Sequence, residues 1–60
     1  KRFASLLRFE RALPLINSQS PLAQVATEAG YADQPHLSRE VFRFTGMSPG
    51  LLRKRQRRSL

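Results

Sequence analysis

Proline and glycine punctuation constrains this chain more than any other feature. Pro14, Pro21, Gly30, Pro35, Gly46, Pro49 and Gly50 divide 60 residues into four short pieces. Proline lacks a backbone donor and crowds the carbonyl four residues back, so it belongs in a first turn or marks a kink or stop. Glycine supplies the left-handed residue that closes a helix. Between these marks the apolar residues recur at helical spacing and no alternating strand pattern occurs, so the reading is all-α.

The first piece reads as a helix from Lys1 to about Ile16, with a kink or stop near Pro14. On a helical wheel Leu6, Phe9, Leu13 and Ile16 fall on one side, and Phe3, Ala4 and Leu7 nearly opposite. A surface helix ordinarily carries one apolar stripe, so two stripes imply a helix gripped on both faces. After a loop at Asn17-Ser18-Gln19-Ser20, Ser20 as N-cap and Pro21 in the first position start a second helix. Leu22, Val25, Ala26 and Ala29 form its stripe, and Gly30 stops it. Asp33 caps a third helix reaching about Thr45, with Pro35 tolerated in its first turn. Leu37, Val41 and Phe44 face inward there; Gln34, Ser38, Arg39 and Arg43 face away. Gly46 ends it. Ser48-Pro49 repeats the cap-plus-proline start for a last helix to about Arg55, packed back through Leu51 and Leu52. The basic end, 57–60, is expected to fray by self-repulsion.

Composition narrows the function. Eleven Lys+Arg stand against 4 Asp+Glu, a formal net charge of +7 and a pI of about 11.7. Charge of this density points first to nucleic acid, then to anionic membranes or acidic partners. There is no cysteine, so neither a disulfide framework nor a thiolate metal site is available, and His36 is the single histidine. No cofactor is expected. Gly46 and Gly50 are not followed by Gly-Lys-Ser/Thr, so they form no phosphate loop. A single histidine without a placed acid gives no nucleophile triad, and the chain does not read as an enzyme. A membrane-surface helix fits poorly with four short pieces, and no membrane partner is expected.

The informative unit is Leu22 to Phe44: a short helix, a tight glycine connection and a longer polar-faced helix, which together read as a helix-turn-helix. Ala26 is small where the helices cross, Gly30 permits the reversal, and Val25 and Leu37 hold the angle. The second helix then offers its first turns to a DNA major groove. Here the elements Ala26-x-x-x-Gly30-Tyr31, Asp33-Gln-x-His-Leu-Ser-Arg39 and Thr45-Gly-Met-Ser-Pro49, with Arg8-Phe-Glu-Arg-Ala-Leu13 upstream, resemble the AraC/XylS family of bacterial transcription regulators. The resemblance covers roughly Lys1 to Arg53. It implies a linker helix (1–17) followed by the family's second helix-turn-helix, a homeodomain-like three-helix unit (20–56), and a basic tail (57–60). It also implies a first helix-turn-helix and an effector domain of the same chain upstream, which fits a sequence that opens without Met directly in a helical pattern. Phe3 and Leu7 are then expected to be more exposed than Phe9 and Leu13. The implied setting is the bacterial cytoplasm, at the nucleoid.

The resemblance makes Asp33–Thr45 the recognition helix and double-stranded DNA the partner. Gln34, His36, Ser38, Arg39 and Arg43 are the candidate contacts. Arg39 suits a bidentate pair with guanine; as a solvated arginine it would instead pair with Asp33 or Glu40. Arg43, one turn on, suits phosphate. Gln34 reads adenine or holds phosphate, or is a plain exposed residue. Ser38 suits phosphate. His36 either meets DNA or packs half-buried, and Asp33 is a cap. Arg53, Lys54 and Arg55 are candidate phosphate contacts. Two positions depart from the family pattern: Pro35 and Phe42 stand where polar or basic residues are usual. The rival function is a helical protein-interaction module, for example one contacting RNA polymerase, motivated by Phe42, Phe3 and Leu7.

Overall fold

The computed structural model describes residues 2–18 and 20–58, with side chains from 3 to 56. It contains α1 (Arg2–Asn17), α2 (Leu22–Ala29), α3 (Gln34–Thr45) and α4 (Pro49–Arg58), and no strand among the described residues. The body measures 34 × 20 × 16 Å. Helix α1 lies along α2 and also touches α3 and α4, so all four elements share one core.

Four of the expected helix ends form as the sequence dictates. Gly30 takes φ +98°, and the Tyr31 N–H donates to the Ala26 carbonyl at 2.8 Å, closing α2 with a left-handed residue. The Asp33 carboxylate accepts the His36 N–H at 2.9 Å, capping α3, and Gly46 at φ +74° ends that helix. Ser48 Oγ accepts the Leu51 N–H at 3.2 Å at the start of α4.

Other junctions differ. Helix α1 continues through Pro14 to Asn17, and the Pro14 carbonyl accepts the Ser18 N–H at 3.1 Å. Pro21, not Ser20, is the N-cap of α2: it is extended (ψ 142°), and its carbonyl accepts the Gln24 and Val25 N–H groups at 3.0 Å. No side chain caps that end. Ser20 Oγ is instead engaged by the Ser18 hydroxyl, and the Ser20 carbonyl by Arg53. Helix α4 runs three residues past Arg55, to Arg58, so the start of the expected frayed tail is helical; 59–60 lie outside the described residues.

The core comprises Ala12 and Ile16 from α1, Val25, Ala26 and Ala29 from α2, Tyr31 from the turn that follows it, Leu37 and Val41 from α3, and Leu52 from α4. Burying one such aliphatic side chain stabilises the fold by about 1.5–3 kcal/mol. Helix α1 is thus part of the unit as well as an approach to it. Phe3 and Leu7 are exposed while Phe9 and Leu13 are partly buried, as the two-stripe reading requires. Leu6 is also exposed, against expectation: it borders an open hollow beside Arg43 and Phe44 of α3 and does not reach the core. Phe44 is partly open but stacks on Phe9 with centroids 4.7 Å apart. Leu51 is exposed, and Leu52 alone of that pair reaches the core.

Candidate nucleic-acid interface

Helix α3 divides cleanly. Leu37 and Val41 are fully buried, whereas Gln34, Pro35, Arg39, Phe42 and Arg43 are exposed. At roughly 100° per residue, Pro35, Ser38, Arg39 and Phe42 form the row opposite the buried stripe. Gln34 and Pro35 of the first turn of α3 lie at the surface, and the Asp33 carboxylate that caps it offsets the positive partial charge of the helix N-terminus.

Arg39 and Arg43 sit one turn apart and, with His36 and Glu40, border one hollow. Ser38, half-buried, joins Arg39, Phe42 and Ser48 around a neighbouring hollow. His36 packs edge-on against Tyr31, 5.2 Å between centroids, and its Nδ1 faces the Ala32 N–H at 3.5 Å. Its ring is therefore partly a packing element of the turn. Gln34 and Arg39 project from the exposed side. Gln34, Arg39 and Arg43 are thus exposed on α3 and Ser38 and His36 half-buried; Arg39 borders both hollows, whereas Gln34 in the first turn borders neither.

Glu40, the one buried charged residue among those described, is what the sequence reading missed. Its carboxylate lies 3.5 Å from Arg43 Nη2 and 4.0 Å from Arg8 Nη2 of α1. The Arg8 guanidinium in turn stands 5.6 Å from the centre of the Tyr31 ring. The Tyr31 phenol is pushed up to about 12, first by burial and then by the negative charge of Glu40, with Arg8 opposing. A buried carboxylate is tolerated only when opposed by positive charge. The cue was present in the sequence: Glu40 falls on the wheel beside Leu37, Val41 and Phe44.

The basic residues of α4 split. Arg53 Nε donates to the Ile16 carbonyl at 2.8 Å and its Nη2 to the Ser20 carbonyl at 2.6 Å. Its guanidinium therefore braces α4 against the α1–α2 connection, which differs from the expected phosphate contact. Lys54 and Arg55 are exposed. Among the described residues no three His, Cys, Asp or Glu side chains gather as a metal site, and no helix is long and apolar enough to cross a membrane.

Neither the curated proteins nor the solved structures contain a match to the chain. The family model described as a helix-turn-helix domain matches residues 1–55 of the chain, which take in α1 to α3 and the first seven residues of α4. With the α2–turn–α3 geometry, the capped first turn of α3 and the basic outer face, this match makes the chain a member of the AraC-type helix-turn-helix family of DNA-binding transcription regulators.

Proposed function

We propose that the chain binds DNA sequence-selectively, with α3 in the major groove, Gln34, Ser38 and Arg39 toward base edges, and Arg43 toward phosphate. The observation that carries this reading is the exposed face of α3, where Arg39 and Arg43 stand clear of a helix whose other side is locked into the core. Base readers need a rigid helix under them, and Leu37 and Val41 supply it. Arg39 has the planar fork that pairs with guanine O6 and N7. Arg43 keeps two thirds of its side chain exposed while leaning on Glu40, a posture suited to phosphate. His36 contributes from the margin of the face. Lys54 and Arg55 add phosphate contacts from α4, and Arg53 serves the fold. The function is one of binding, in a bacterial cytoplasmic setting at the nucleoid.

Salt titration of duplex binding tests the reading. Affinity should fall with a log–log slope of roughly −0.9 per phosphate neutralised. Arg43→Ala should weaken all duplexes alike and make the slope about one unit shallower. Arg39→Ala should cost about 1–3 kcal/mol on the preferred duplex and relax its sequence preference at one position. A flat salt response refutes DNA binding; equal losses on preferred and random duplexes refute the base-reading role of Arg39.

The exposed stripe Phe3, Leu6 and Leu7 on α1 favours a second, compatible reading: a protein contact made by the same chain, with a further domain or with RNA polymerase. Loss of that contact on Phe3→Ser, with duplex affinity unchanged, is its signature.

A further inference from the structure

Phe42 is the odd residue of the recognition face. It is 62 % exposed, it is apolar, and it occupies the row opposite the buried stripe of α3. It follows Pro35, Ser38 and Arg39 at spacings of seven, four and three. A helix laid along the major groove presents base-reading side chains at just such i, i+3, i+4 and i+7 positions. Phe42 also borders, with Ser38, Arg39 and Ser48, an open hollow of mainly apolar surface. No described aromatic ring is paired with it, in contrast to Phe9 with Phe44 and Tyr31 with His36. The surroundings are cationic: Arg39 and Arg43 flank it, on a chain of net charge +7.

An exposed ring in a basic face that meets duplex DNA needs an apolar group on the DNA. The major groove carries one such group, the 5-methyl of thymine. We propose that Phe42 is a specificity-determining residue that packs its ring on a thymine methyl, with Arg39 reading the neighbouring base pair. The proposal rests on the groove-binding reading of α3 and adds to it the identity of a base.

The test uses the chain and a duplex selected by it from a randomised library at low salt. That duplex is compared with the same duplex carrying deoxyuridine for each thymine in turn, a change that removes only the methyl. One uracil position is expected to weaken binding about fourfold, the equilibrium equivalent of one methyl returned to water. Phe42→Ala is expected to bind the thymine and uracil duplexes equally, and Phe42→Leu to retain part of the difference. Phe42 lies at the surface, so circular dichroism of both variants should match the parent. Selected sites without thymine, or a parent chain that treats the two duplexes alike, overturn the proposal and leave the exposed ring to a protein partner. Persistence of the full thymine preference in Phe42→Ala overturns it equally. Absence of any salt-sensitive duplex binding overturns the DNA reading itself, so the two failures are distinct.

Discussion

Replacing Arg53 separates a structural arginine from a DNA-binding one. In Arg53→Ala the Ile16 carbonyl, at the C-terminal end of α1, and the Ser20 carbonyl, before α2, lose charge-assisted donors at 2.8 and 2.6 Å. Hydrogen bonds to a charged group contribute about 1.5–3 kcal/mol each when buried. Here the site is only part-buried and water replaces some of the loss, so about 2 kcal/mol in total is the working figure. A chain of this size has roughly 3–9 kcal/mol of stability, and in a domain of 60–100 residues each kcal/mol lowers Tm by about 4–8 °C. The expected fall in Tm is therefore roughly 8–16 °C. Arg53→Lys should recover little of it, because an ammonium cannot span two carbonyls as the guanidinium fork does. Thermal melting by circular dichroism measures the effect. Duplex binding measured well below the new Tm should keep its salt slope. An unchanged Tm together with a slope about one unit shallower would mean that Arg53 contacts phosphate and that the brace is energetically idle.

Gly30→Val is expected to cost about 1–2 kcal/mol, read as a lower urea midpoint with unchanged slope, because φ +98° excludes a β-branched residue. The nearest atom to an added Cβ is Arg11 Nη1 at 3.5 Å, so the penalty is backbone strain and not collision. The Tyr31 phenol, raised to about 12 in the folded chain against about 10 unfolded, holds its proton more tightly when folded. Its contribution is complete below pH 10 and is lost as pH rises from 10 through 12, at no more than about 1.4 kcal/mol per pH unit. Tyr31→Phe should remove that part of the alkaline fall in stability, as measured by urea unfolding across this window.

The helix framework was legible because its signals are local. A glycine that must be left-handed, an aspartate three residues before an unpaired N–H, and a Ser-Pro start each act over one turn of chain. Pro21 shows where local rules compete: Ser20 is the better capping side chain, but its carbonyl is taken by Arg53 from thirty-three residues away. Glu40 and Arg53 escaped for the same reason. One reads as a solvated acid and the other as part of a basic run until α1 is folded against both α3 and α4. The candidate DNA face was legible as the polar side of α3, since surface residues there have no tertiary partner to override their pattern. Ala12 was missed because alanine carries little weight on a wheel, although small size is what lets α1 approach so closely.

The burial of Ala12 and Ile16 bears on how such a unit can be moved between proteins. A graft that carried only the α2–turn–α3 segment would leave Val25, Leu37 and Val41 facing water on the side that α1 now covers. It would also remove Arg8, the α1 counter-charge of Glu40. The smallest transplantable cassette is therefore the whole four-helix body. Chimeras that exchange recognition preference are best joined ahead of α1, or restricted to the outward row of α3, so that the seam never crosses the core.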